Sequence, residues 1–313
     1  MSFQRLITQW LAARAVEAVK RQAVQEIFSS SDAPASDLSV ENTKPLTCGD
    51  NPEHETSDSP PEKPVVDIGF VFAMPMEAAG IADRLKQKKT TQGDGRTFHT
   101  GMFGGYRVAL VESGVGQEKA GAATEVLIDV FEPKRILSTG YGGGLAKRLK
   151  RFNVCFPEML MRQSDGARLD LSEPVPKLVA QAESGPIEGK LVLLTTDHVV
   201  ASPKEKRSLG LKTGAELVDM ETFAVAEVCR KHDVPFLSLR IILDTAEEEL
   251  PQDVQRIMKN AEIGGARLAG TVLGSLFSRP SSMIDLFSLK QRALEATDRL
   301  AKRIAVELGE TAR

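Results

Sequence analysis

Residues 106–144 read YRVALVESGVGQEKAGAATEVLIDVFEPKRILSTGYGGG. Tyr106–Ser113 is an apolar, β-rich run that ends in Ser113-Gly-Val-Gly116. From Gln117 to about Phe131 the apolar residues recur at helical spacing, and Arg135–Thr139 is a second short strand that ends in glycines. Strand, glycine loop, helix and strand in this order argue for a parallel arrangement with helices packed on the sheet.

The same alternation continues outward. Val65–Ala73 reads as an apolar strand and Met76–Lys88 as a helix. Leu191–Thr195 and Pro235–Leu243 are further β-rich runs, and Glu221–His232 has helical spacing through Phe223, Val225, Ala226 and Val228. The expected fold class is therefore α/β, with a mixed, mostly parallel central sheet flanked by helices. A long helix around Val254–Phe277 is expected to close this domain, which spans 65–280.

Both ends differ in composition. Residues 1–28 place Phe3, Leu6, Ile7, Trp10, Leu11 and Ala13 at helical spacing, with no Gly or Pro. An amphipathic helix packing on its own domain or a second subunit is favoured there over membrane-surface binding, because its polar face is only mildly basic. Residues 29–64 hold six prolines and no aromatic residue, and eight acids face Lys44 and Lys63. Such a segment buries too little apolar surface to offset its ordering entropy, so a disordered linker is expected. It carries −6 of the chain's formal −3, which leaves the remainder slightly basic. After Arg279-Pro280, Leu286, Leu289, Leu294, Leu300, Ile304 and Leu308 mark a C-terminal helical extension over 281–313, about Met283–Glu307.

The whole chain excludes several classes. Its 313 residues carry 40 Lys+Arg against 43 Asp+Glu, which leaves no basic footprint for nucleic acid. Three separated cysteines and four histidines without a His-x-x-x-His pair make a disulfide framework or a zinc site unexpected. A reducing cytoplasm fits best, since no secretory pattern opens the sequence and no apolar run nears the roughly 20 residues of a membrane span.

In open α/β sheets ligands bind at the carboxyl ends of strands. There this chain places Glu77, Ser113-Gly114-Val115-Gly116, Thr139-Gly140-Tyr141-Gly142-Gly143-Gly144, Asp197-His198-Val199, Asp219-Met220-Glu221 and Asp244. Glycine loops with carboxylates suit a polar, hydroxyl-bearing ligand. The first glycine loop lacks the third glycine of a dinucleotide fingerprint, which argues against a nicotinamide-dependent oxidoreductase, and no P-loop Gly-Lys-Ser/Thr follows. Each glycine loop read singly is as well explained by a tight turn from strand to helix.

Together and in order, these motifs resemble the nucleoside phosphorylase/nucleosidase superfamily, most closely its methylthioadenosine/S-adenosylhomocysteine nucleosidase branch. The resemblance covers about Val65–Ser275. It rests on Ala73-Met-x-x-Glu77, Ser113-Gly-Val-Gly116, Thr139-Gly-x-x-Gly-Gly-Leu145, Asp219-Met-Glu221 and the late strand ending at Asp244. It implies cleavage of the N-glycosidic bond of an adenine nucleoside bearing an apolar or thioether 5′ group. Glu77 then matches the residue that activates water, and Asp244 the acid that protonates the purine. Glu221 matches the carboxylate that grips the ribose, with Met220 under the sugar. Ser113 and Gly114 match positions near the water and the base. Asp197–Val200 matches the segment reading the adenine edge, and Asp219 the acid before the Met-Glu pair. No metal or organic cofactor is implied. The implied partners are a small-molecule purine nucleoside and a second copy of the chain in a homodimer.

Three departures bear on specificity. Asp219 stands where the family often has Glu, and Tyr141 where the nucleosidases often place a small residue. Val199 replaces an aromatic residue, with His198 beside it as a candidate for stacking. Ser138 stands where bacterial hexameric phosphorylases carry an arginine, which favours hydrolysis over phosphorolysis. Against this, Asp219-Met-Glu-Thr222, Ser202-Pro-x-Glu-Lys206 and Ser275-Leu-Phe-Ser-Arg279-Pro280 resemble hopanoid-associated phosphorylases, which implies an adenosyl-hopane-like substrate as the alternative. A non-catalytic nucleoside-binding module on the same fold is a further alternative, and the joint presence of Glu77, Glu221 and Asp244 argues against it.

Overall fold

A nine-residue strand, β5 (Ile136–Gly144), organises the molecule in this computed structural model. The structure describes residues 65–171 except 94, residues 191–251, Gln255 and residues 283–308, with side chains in the last helix from 290 onward. The expected helix at 1–28, the linker at 29–64 and, apart from Gln255, the helix around Val254–Phe277 lie outside the described residues.

Along one edge of β5, its first half pairs in parallel with β1 (Ile68–Phe72), and its last two residues pair antiparallel with β10 (Leu217–Asp219). Along the other edge it pairs in parallel with β11 (Phe236–Asp244). Beyond β1 come β4 (Tyr106–Glu112), β3 (Arg96–Phe103) and β2 (Lys86–Gly93). Beyond β10 come β9 (Val192–Thr195), β7 (Met159–Arg162) and β8 (Arg168–Asp170). A two-residue strand, β6 (Val154–Cys155), pairs antiparallel with β11. The sheet is thus mixed, with parallel pairing around β1, β5 and β11 and antiparallel hairpins toward its edges.

Helices cover the sheet. α1 (Pro75–Ala82), α2 (Gln117–Phe131), α3 (Pro203–Thr213), α4 (Thr222–Lys231) and α5 (Met283–Glu307) are the helices among the described residues. Phe70, Phe72, Ile81, Leu110, Ile241, Leu300 and Ile304 form one core between β1, β4, β11, α1 and α5. Each such fully buried side chain contributes about 1.5–3 kcal/mol. A second core gathers Leu160, Leu193, Leu217, Phe223 and Ile242. α2 approaches α4 closely enough at Gly121 that an added Cβ would meet Ala224 and Val228 at 3.8 Å.

Two elements depart from the sequence reading. The helix expected over Met76–Lys88 stops at Ala82, capped by Asp83, and Lys86 opens β2. β2 is an edge strand whose first five residues are all exposed, so no apolar alternation marks it. Its lysines suit an edge that must not recruit another strand. The glycines after Thr139 are not a turn but the second half of β5. Glycine weakens a strand and is kept where another group must come close.

The C-terminal helix packs into the first core through Ala296, Leu300, Ala301 and Ile304. It lies hard against α1. A Cβ at Gly80 would sit 2.7 Å from Thr297 Cγ2, 2.8 Å from Thr297 O and 3.1 Å from Ala301 Cβ. Arg84 Nη2 also donates to Asp298 Oδ1 at 2.6 Å. Because one obstacle at Gly80 is backbone, Gly80→Val is expected to destabilise the fold by about 2–3 kcal/mol. Urea unfolding checks this through a lowered midpoint at unchanged slope.

Candidate active site

Glu77 sits in the first turn of α1, at the N-terminal end whose dipole favours a carboxylate. It is 5% exposed. Its Oε2 accepts the N–H of Met74 at 2.9 Å, and its Oε1 accepts the N–H of Tyr141 in β5 at 2.8 Å. Gly140 makes this approach possible. Its φ is +155°, and an added Cβ would lie 2.5 Å from Glu77 Oε1. Burial raises the Glu77 pKa, while the N–H donors of Tyr141, Met74 and Ala73 and the Arg240 charge oppose it.

Glu221 lies at the end of the short connection from β10 to α4 and is buried. Its Oε1 accepts the N–H of Gly116 at 2.8 Å. Gly116 has φ +100° and Gly114 φ +85°, so the turn after β4 needs glycine to aim that N–H. Burial, Asp219 and Glu77 together push the Glu221 pKa up to about 8. Met220, also buried, separates Glu221 from Asp219.

Asp219 is held by protein partners. Its side chain is 1% exposed, and its oxygens accept from Arg240 Nε (3.0 Å), Arg240 Nη2 (2.8 Å), Thr195 Oγ1 (2.8 Å) and the N–H of Thr222 (2.9 Å). The Thr222 hydroxyl also bonds it. Both oxygens of Asp219, the residue expected to bind substrate, already accept from protein donors in this structure. Arg240 Nη2 reaches on to Ser138 Oγ at 2.8 Å, which ties β11 to β5.

Asp244 ends β11 at a register shift opposite Gly143. A Cβ at Gly143 would meet its Oδ2 at 3.3 Å, so that glycine also provides clearance. Burial raises the Asp244 pKa, and the Lys206 and Arg151 charges pull it back. Lys206 Nζ bonds Asp244 Oδ2 directly.

The remaining expected residues lie on two linked segments: Gln117, after the Ser113–Gly116 turn, donates to Asp197, and the N–H of Thr196 donates to Asp219 O. Ser113 is buried, and its hydroxyl lies within hydrogen-bond distance of Gly114 O (2.8 Å) and Phe72 O (3.1 Å). Val199 is half-buried. His198 is anchored through its ring edge. Its side chain is 50% exposed and Nε2 is paired with Glu205 Oε1 of α3 at 2.8 Å. Sequence reasoning missed Arg240, Lys206 and the Tyr141 N–H. Arg240 was detectable as the one charge inside the apolar run Phe236–Leu243, since a charge in a buried strand requires a partner. Lys206 stands in a polar helix and carries no such signal.

Glu221 thus lies in electrostatic contact with both Asp219 and Glu77, and Arg240 is the cation near all three. Because folding raises the Glu221 pKa, its protonated form stabilises the fold fully below about pH 4.5, and this stability is lost as pH rises through about 8. Glu221→Gln keeps an acceptor for Gly116 and cannot ionise. It is expected to match the wild type in stability near pH 4 and exceed it near pH 9. Denaturant midpoints across that range check the sign.

The Phosphorylase superfamily profile matches residues 67–276. The methylthioadenosine/S-adenosylhomocysteine nucleosidase of Aeromonas salmonicida is 26% identical over 229 residues, covering 67% of this chain and 99% of its own. That of Colwellia psychrerythraea is 29% identical over 237 residues, covering 66% and 96%. Among solved structures, the corresponding nucleosidase of S. pneumoniae, bound to a transition-state inhibitor, has a TM-score of 0.59 at 19% identity and covers 77% of this chain and 98% of its own. A futalosine hydrolase of Helicobacter pylori also has a TM-score of 0.59, at 21% identity, and covers 79% and 100%. These structural likenesses show the α/β fold, and the match over 67–276, more than half the sequence, shows that the chain belongs to the Phosphorylase superfamily.

Proposed function

We propose that this chain hydrolyses the N-glycosidic bond of an adenine nucleoside with an apolar or thioether 5′ group and releases adenine. One observation carries it: Glu77 and Glu221, both buried, and the part-buried Asp244 gather at strand or helix ends around the glycine half of β5 and the Gly114–Gly116 turn. The nucleosidases of Aeromonas salmonicida and Colwellia psychrerythraea, named for methylthioadenosine and S-adenosylhomocysteine, support the same substrate class.

The chemistry divides among the carboxyl groups. The C–N bond breaks through an oxocarbenium-like state, and its electron pair moves onto the adenine. Asp244 gives a proton to the ring nitrogen, and burial is what lets it hold that proton near neutral pH. Glu77 takes the proton of the water that attacks the anomeric carbon. Its raised pKa makes it a stronger base than a solvated glutamate. Glu221 grips the ribose hydroxyls, with Met220 beneath the sugar. Ser113, Gly114, His198 and Val199 border the base and the water, and Asp219 holds Arg240 and Thr222 in place behind them. A homodimer in the cytoplasm, as in the resemblance, completes the proposal.

Water is favoured over phosphate as the nucleophile. Phosphate needs cationic donors. Arg240, which neighbours Glu77 and Glu221, is committed to Asp219, Ser138 and Thr222. Adenine release from methylthioadenosine, S-adenosylhomocysteine and a bulky apolar 5′-substituted adenosine, with and without phosphate, tests this. Release is expected without phosphate, yielding free sugar, and Asp244→Asn is expected to lower kcat by about 100-fold or more with the fold intact. A strict phosphate requirement with a sugar 1-phosphate product overturns hydrolysis. Undiminished turnover by Asp244→Asn overturns the mechanism.

A further inference from the structure

Lys206 is the unusual group next to this site. It lies in the first turn of α3, and its side chain is 0% exposed. A buried lysine is costly unless every N–H is satisfied and an opposite charge is near. Both conditions are met. Its Nζ bonds Asp244 Oδ2, Thr245 O at 2.9 Å and Glu248 O at 2.7 Å. Three acceptors match the three donors of an ammonium. A neutral amine would turn its lone pair toward one of them, so the site is built for the charged form.

The surroundings hold this arrangement still. Ser202 caps α3 by accepting the N–H of Glu205 at 3.3 Å, and the N–H of Lys206 donates to Ser202 O at 3.0 Å. Glu248 Oε2 accepts the N–H of Thr245 at 2.9 Å, and Glu248 Oε1 pairs with Arg151. The charged groups facing Asp244 are therefore Lys206 from α3 and Arg151 from the segment before β6, with Glu248 paired to Arg151. Asp244 itself keeps 14% side-chain exposure, in contrast to its partner.

We propose that Lys206 is a positioning residue for Asp244: its ammonium holds Oδ2, so that Oδ1 presents the proton to the leaving base, and it stabilises the carboxylate left behind. The proposal rests on Asp244 being the acid of the reaction above. Proton and charge balance within it. The proton passes from Oδ1 to the base as the C–N electron pair moves there, and the new carboxylate faces a cation already in place. Burial alone would make Asp244 hold its proton too firmly to give it up. Lys206 restores its strength as an acid without exposing it to water.

The test uses the full chain and the pH dependence of adenine release from methylthioadenosine. Lys206→Gln removes the charge and keeps a polar side chain. It is expected to lower kcat by about tenfold or more, leave KM near the wild type and move the alkaline limb of the kcat profile upward. Lys206→Arg keeps the charge but not the three-acceptor geometry, so kcat is expected to fall with the limb unmoved. A folded Lys206→Gln with wild-type kcat and limb overturns the proposal. Should Lys206→Gln fail to fold, Lys206→Arg decides: reduced kcat with an unmoved limb supports the proposal, and wild-type kcat overturns it. A wild-type chain that releases no adenine overturns the activity itself, and the proposal with it.

Discussion

The buried pair between Asp219 and Arg240, two guanidinium N–H groups converging on Oδ2, is the constraint on which the site depends. A buried carboxylate and guanidinium are retained only when hydrogen bonds satisfy what is left over. Here Thr195, Thr222 and Ser138 do so, and through them the pair spans β9, α4 and β5. Two further carboxylates, Glu77 and Glu221, are buried within its field. The pair thus supplies both the mechanical tie that sets the spacing of the strands and the positive charge that tempers repulsion among the acids. Removing one partner would cost about 3–5 kcal/mol by leaving the other buried and unpaired.

β5 shows the complementary side of this arrangement. Carboxyl groups brought inward need room, and four glycines in the second half of that strand provide it. Gly140 admits the head of Glu77, and Gly143 admits that of Asp244. Both backbone functions are used as well, since the N–H of Tyr141 holds Glu77 while the strand keeps its ladder with β11. Glycine here is a property of the reaction chamber and not of a bend.

Much of this was legible before any coordinates. α2 was readable end to end because a helix with one buried face imposes its period on the sequence. Glu77, Glu221 and Asp244 were readable because they close apolar runs, and the sheet has no use for acids there. β2 was hidden because an edge strand exposed on both faces has no alternation to display. The roles of Lys206 and Arg240 were hidden for a different reason, although the charge of Arg240 within an apolar run was a visible signal. Their meaning lies in partners 38 and 21 positions away, and single-chain periodicity is blind to pairing at that range. His198 fell between these cases: the segment was recognised, but its ring is tied to α3.

The packing of α5 has a consequence for chain entropy. The Tyr141 hydroxyl lies 3.0 Å from Ala293 O and 2.6 Å from Thr297 Oγ1, and Thr297 Oγ1 donates in turn to Met76 O, beside Glu77. The segment that steadies the front of the site therefore lies more than 200 residues after the glutamate it supports. Joining positions that far apart closes a long loop of chain, and the buried contact of α5 with α1 and β11 must offset the entropy of that closure.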